Sequence, residues 1–156
     1  MSGQATQDRA NSTLAWRLIG VLSLLGLAIA TYLMINYARN QTPYCAGSDG
    51  CGIVQASEYV TIITGLLDIP TLGVAGCIAL LVLTMFRGRL NEQVEFYLPL
   101  LTYGAALIGF LYSLYLTYLE AFVIHAWCHW CVASAIVMTI IFGLSIIDLR
   151  QVWFES

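Results

Sequence analysis

The sequence predicts an all-α integral membrane protein, a four-transmembrane-helix bundle with a short amphipathic helix in its first outer loop. Three observations carry this. The chain has 156 residues, 60% of them hydrophobic and only 10% charged, against about 25% charged in an ordinary soluble domain. A chain this short cannot hide that much apolar surface inside itself, so lipid is the solvent for much of it. Four uncharged apolar stretches also approach or exceed the roughly 20 residues that carry a helix across a bilayer. Finally, the arginines are spread unevenly over the segments joining those stretches. The small net charge of −3 offers no basic surface for nucleic acid, and the length bounds the chain to one domain.

Taken in order, residues 1–13 are polar and are expected to be a disordered cytoplasmic N-terminus. Residues 14–148 form the membrane domain and 149–156 a cytoplasmic tail. The first span, Leu18–Ala38, is too long for a signal-peptide core and has no convincing cleavage pattern after it, so it reads as a retained helix. Asn40–Gly52 is rich in Gly, Pro, Ser, Asn and Asp and reads as irregular structure. Beyond it, Tyr59, Ile62, Ile63 and Leu66 recur at i, i+3, i+4, i+7, with Glu58, Thr61 and Asp68 on another face. That spacing predicts a short amphipathic helix on the membrane surface or capping the bundle. The second span, Ile69–Phe86, is the shortest and holds Pro70 just inside its start, where a missing N–H costs little. The third is Phe96–Leu119. The fourth is Ala121–Ile147, its first residues turning around His125. No internal repeat interrupts this order.

All six basic residues are arginine. Arg9 and Arg17 precede the first span, Arg87 and Arg89 lie between the second and third, and Arg150 follows the fourth. Arg39 stands alone on the other side. The positive-inside rule then puts both termini in the cytoplasm and the long first loop outside. The expected location is the cell inner (plasma) membrane. Cys45, Cys51, Cys128 and Cys131 all fall on the outer side, where disulfides persist.

Five cysteines is an odd count. Cys77, in an apolar run, reads as a small hydrophobe. The other four form two pairs, Cys45 with Cys51 and Cys128 with Cys131 of a C-x-x-C motif. Thiol–disulfide exchange needs a thiolate nucleophile, an accessible disulfide and a good leaving thiolate. Cys128 is expected at the N-terminus of the fourth span, where free N–H groups and the helix dipole stabilise negative charge. His125 and His129 would add to this if protonated, or simply end the turn as interfacial polar residues. Cys131 is expected one turn deeper, more buried and facing an apolar pocket that a lipid-soluble oxidant can reach. Cys45 and Cys51 sit on a loop able to meet both an outside partner and the C-x-x-C. Two other readings stay open: a zinc site drawn from His125, Cys128, His129, Cys131, Cys45 and Cys51, and a structural loop staple. Covalent haem needs C-x-x-C-H, and Val132 follows Cys131. Tyr112, Tyr115 and Tyr118 read as packing and interface anchors.

Cys45-x5-Cys51-x5-Ser57, Pro70-x-x-Gly73 and Cys128-x-x-Cys131, in this order, resemble the vitamin K epoxide reductase family, specifically its bacterial homologues, over about Leu14 to Ile147. The DsbB family carries its two cysteine pairs in the opposite order. The resemblance implies a four-helix bundle around a quinone of the ubiquinone, menaquinone, phylloquinone or plastoquinone type, with Cys45, Cys51, Cys128 and Cys131 catalytic. Ser57 inherits a place near the quinone's polar edge, a role compatible with its being a helix N-cap. Mammalian members carry a tyrosine four residues after the second C-x-x-C cysteine. That position is Ala135 here, so quinone reduction is implied rather than epoxide reduction. No fused thioredoxin-like domain follows the last span, so the expected partner is a separate exported thioredoxin-like or DsbA-like protein. The implied activity is thiol–disulfide oxidoreduction that supports disulfide bond formation. The alternative is a membrane metal-binding or structural scaffold protein.

Overall fold

The computed structural model describes residues 2–45, 47, 49–56, 61–63, 67–87, 89 and 92–155. Among the described residues five helices carry the fold: α1 (Ser2–Ala38), α2 (Gly50–Ala56), α3 (Ile69–Phe86), α4 (Glu92–Tyr118) and α5 (His129–Glu155). A π-helical turn, Leu119–Ile124, continues α4. The four long helices run alternately up and down, α1 packing on α3 and α5, and α4 packing on α5 and α3. The core draws on all four: Ile19 of α1, Leu80 of α3, Ala106 of α4, and Val137 and Ile141 of α5. Phe142 of α5 stacks on Phe110 of α4 at 4.8 Å between ring centroids.

The outward faces are apolar too. Ile108 is 71% exposed, Met85 68% and Val21 66%, a surface that needs lipid rather than water around it. Three of the described helices are long and apolar enough to cross a membrane, and Pro70–Phe86 is a shorter apolar helix. The 18 residues of α3 rise about 27 Å, close to the roughly 30 Å hydrocarbon core. The predicted four-helix membrane bundle is therefore the fold.

Local chemistry explains the ends. α1 closes on Asn40, in the left-handed region at φ 52°. The Gln41 N–H donates to the Asn36 carbonyl at 2.9 Å and the Asn40 N–H to that of Tyr37 at 3.1 Å, the paired bonds of a Schellman cap with asparagine in the glycine position. At the other end of the bundle Arg87 forms an ion pair with Asp148, which also accepts from the Ser12 hydroxyl at 3.2 Å.

Two expectations are corrected. Residues 1–13 were expected to be disordered, yet α1 begins at Ser2, and the Ser12 bond to Asp148 ties this stretch to α5. The helix of the outer loop is α2, at Gly50–Ala56, rather than the stretch around Ile62. Thr61–Ile63 (β1) instead pairs antiparallel with Leu67–Asp68 (β2), Thr61 opposite Asp68 and Ile63 opposite Leu67. The β-branched run Thr61-Ile62-Ile63 favours extended backbone over helix. Tyr59, Leu66 and Ser57 lie outside the described residues.

Candidate active site

The end of the bundle holding α2 is built around the passage from α4 to α5. The π turn inserts an extra residue into the helix, a distortion common at functional sites. It ends at His125, in the left-handed region at φ 53°, and the Ala126 N–H bonds back to the Glu120 carbonyl at 3.2 Å. Histidine is among the residues enriched in that region. The reversal brings the chain back over the carboxyl of Glu120, which is buried at 3% exposure and accepts the Cys128 N–H at 3.2 Å.

Cys128 immediately precedes α5, and the Val132 N–H bonds to its carbonyl at 3.0 Å. Its own thiol is held below the ordinary cysteine value, first by the Cys131 thiol hydrogen-bonding to its sulfur, then by the Cys131 and Trp130 backbone N–H groups, against opposition from burial and from the Glu120 charge. The helix N-terminus thus acts as the sequence predicts, while neither histidine contributes to the shift. Cys128 is the more enclosed of the two, at 2% exposure, and Cys131 is half-buried. This reverses the expected order, although both cysteines line the same cavity. Cys131 shares the lining of one cavity with Cys128 and Glu120.

A test follows. In the reduced protein the alkylation rate of Cys128 should rise with pH through a midpoint below the ordinary value of about 8.5. Cys131→Ala should move that midpoint up by removing the hydrogen bond to the thiolate. Rates read by mass spectrometry of the modified peptide check both; an unshifted midpoint in the variant contradicts the arrangement.

The loop is clamped onto this motif. Cys45 and Cys51 form a disulfide with Cα atoms 6.2 Å apart. The Trp130 Nε1–H donates to the Tyr44 carbonyl at 2.8 Å, the Tyr44 N–H donates to the Tyr32 hydroxyl at 3.2 Å, and the Tyr32 and Trp130 rings lie 5.0 Å apart. Gly50, opening α2, lies against the backbone of Trp127: a Cβ there would stand 2.3 Å from the Trp127 carbonyl oxygen. This close approach sets Cys51 beside the C-x-x-C. A ring nitrogen of His129 lies with the sulfurs of Cys45 and Cys51 inside a 4.8 Å group, so this histidine stands at the loop disulfide rather than beside Cys128.

Two hollows meet here. The outer one is lined by Tyr32, Tyr44, Cys45, Asp49 and Cys51. The inner cavity, about 170 Å³, is lined by Cys51, Cys128, Cys131, Glu120, Tyr112 and mostly apolar side chains from α1, α3, α4 and α5. Cys51 borders both. Of the residues the sequence singled out, Cys45, Cys51, Cys128 and Cys131 converge on this end. Cys77 is buried in the cavity wall. Tyr115 and Tyr118 are exposed, as anchors should be. Tyr112 differs: its hydroxyl is buried without a hydrogen-bond partner and lines the cavity. Glu120 stands between the third and fourth predicted spans, and a carboxyl inside an apolar stretch is a functional signal by default.

Residues 17–146 match the model of the Vitamin K epoxide reductase family. The chain belongs to the vitamin K epoxide reductase family. This vitamin K epoxide reductase homologue is accordingly a membrane thiol oxidoreductase, from a family that works with quinones and thiol partners. No curated protein matches the chain.

Proposed function

We propose that this protein reoxidises a thioredoxin-like partner and passes the two electrons to a quinone, supporting disulfide bond formation. The observation that carries the reading is the position of Cys51, which borders the outer hollow with Cys45 and the inner cavity with Cys128 and Cys131. A reduced partner thiolate attacks the Cys45–Cys51 disulfide through a mixed disulfide. The freed Cys51 thiolate attacks Cys128, and Cys131 leaves as a thiolate toward the cavity. The partner's second thiol releases it as a disulfide, Cys45 attacks Cys51 to re-form the loop disulfide and free Cys128, and Cys128 and Cys131 then return to the disulfide as the acceptor gains two electrons and two protons. The low thiol value of Cys128 makes it a good leaving group when Cys45 attacks Cys51 and re-closes the loop disulfide.

The cavity fits a flat, largely apolar ring. Its walls are mostly apolar, and the unpartnered Tyr112 hydroxyl is a donor suited to a carbonyl oxygen. A bound quinone would supply the two-electron acceptor there, held by Tyr112 with Cys131 at one edge. Tyr112→Phe is expected to raise the quinone KM about 3- to 10-fold, the worth of one hydrogen bond, with little change in thiol exchange. Titrating quinone against the reduced protein checks it; an unchanged KM removes Tyr112 from the site.

Gly50→Ala tests the relay. The added methyl drives α2 away from Trp127, so exchange between Cys51 and Cys128 should slow on the order of 10²-fold, read by quenched-flow trapping of free thiols. An unchanged rate contradicts the docking of α2. For orientation, the end holding Arg17, Arg87, Arg89 and Arg150 is assigned to the cytoplasm, which puts the cysteines on the periplasmic or extracytoplasmic face. Accessibility to a membrane-impermeant thiol reagent checks this.

The metal-binding alternative has one observation of its own, the grouping of Cys45, Cys51 and His129. Zinc binds thiolates, and these two sulfurs are joined in a disulfide. Stoichiometric zinc in the purified protein, with no reducible disulfide, would favour the scaffold over the enzyme.

A further inference from the structure

We propose that Glu120 carries the proton between Cys131 and the acceptor bound in the cavity, an assignment that rests on reading the cavity as the site of electron transfer. The residue is 3% exposed, lies in the wall of the cavity, and its carboxyl accepts the Cys128 N–H at 3.2 Å. Cys131 and Cys128 line the same cavity as this carboxyl, so a proton leaving the Cys131 thiol has a buried carboxylate in the same enclosed space, one that opens onto the ligand site.

The surroundings leave the carboxyl little else to do. The described lining of the cavity contains no basic side chain and no second carboxyl. The ionisable groups that share its cavity are the thiols of Cys128, Cys131 and Cys77 and the Tyr112 hydroxyl, with Cys51 held in the disulfide. Among the described residues the ion pair found, Arg87 with Asp148, lies at the far end of the bundle. Burying a carboxyl is costly and needs compensation. The π turn and the left-handed His125, both departures from regular helix, hold this side chain against the two cysteines.

The step balances as follows. Closing the Cys128–Cys131 disulfide from two thiols breaks two S–H bonds, forms one S–S bond and releases two electrons and two protons. One quinone takes all four to become the hydroquinone. Glu120 takes the Cys131 proton as that sulfur becomes a thiolate and gives it up to an oxygen in the cavity. The other proton is that of Cys128, released as its more acidic thiol ionises, and it reaches the product by way of water.

Glu120→Gln separates this role from support of the fold, because glutamine keeps an oxygen to accept the Cys128 N–H. Two measurements on the full-length protein decide it. The first needs no quinone: the reduced-minus-oxidised infrared difference spectrum of the Cys128–Cys131 pair. The wild type should show a carboxyl band that shifts in heavy water and is missing from Glu120→Gln. The second is rapid-mixing reduction of a water-soluble short-chain quinone. In Glu120→Gln it should fall at least about 100-fold, the lower range for a positioned proton-transfer group. Thiol exchange between Cys51 and Cys128 should keep its rate. Absence of the band, or undiminished quinone reduction in the variant, overturns the proposal. If the band is present and the wild type itself leaves quinone oxidised, the reading of the acceptor fails while the coupling of Glu120 to the cysteine pair stands.

Discussion

Cys131→Ala is expected to reduce quinone turnover by roughly 10³-fold or more, the scale seen when a covalent participant is deleted, while the bundle stays folded. In the same variant Cys128 is a free thiol that can attack Cys51 of the loop disulfide and displace Cys45 as a thiolate, so a Cys51–Cys128 disulfide should accumulate without added partner. With Cys131 gone, that bond has no C-x-x-C thiol to resolve it from the Cys128 side. Peptide mapping by mass spectrometry reads the link. Finding Cys45 joined to Cys128 would reverse the order of the two loop cysteines. Undiminished turnover would remove Cys131 from the path altogether. The geometry makes the first outcome the expected one, since Cys51 and not Cys45 borders the inner cavity.

Asp148→Ala is expected to cost about 3–5 kcal/mol of stability, the usual result of deleting one member of a buried ion pair. Asp148 is 1% exposed and Arg87 12% at their side chains, so the variant leaves a guanidinium enclosed with no anion. It also frees the Ser12 hydroxyl and with it the bond between the start of α1 and α5. Thermal unfolding in detergent micelles measures the loss. A change within about 0.5 kcal/mol, typical of an unimportant surface site, would mean that the pair contributes little. Because it lies at the opposite end of the bundle, thiol exchange in the molecules that remain folded should be unaffected.

The helices were legible because charge is so expensive in lipid. Long uncharged runs have few alternatives, and all four of them formed packed helices. The loop was harder to read. Tyr59, Ile62, Ile63 and Leu66 match a helical period, but period alone does not outweigh the extended preference of Thr61-Ile62-Ile63, and β1 forms there. The helix appeared instead at Gly50–Ala56, where a bare glycine backbone lies against Trp127, a tertiary contact with no sequence period. The two cysteine pairs were visible as spacings, and their convergence follows from the up-and-down order of the spans. The π turn was not visible, since no residue type marks an inserted residue in a helix. Without it, Glu120 looks like a boundary rather than a carboxyl folded under Cys128.

The most direct measurement is stoichiometric: purified protein in lipid, a reduced thioredoxin-like dithiol protein as donor, a quinone as acceptor, with free thiols and reduced quinone counted together. One quinone reduced for each dithiol oxidised, lost on replacing any one of Cys45, Cys51, Cys128 or Cys131 with alanine, is the predicted result. Dithiol oxidation that proceeds without quinone, or quinone reduction that survives loss of Cys128 or Cys131, would contradict a relay running from the loop disulfide through the C-x-x-C to the cavity.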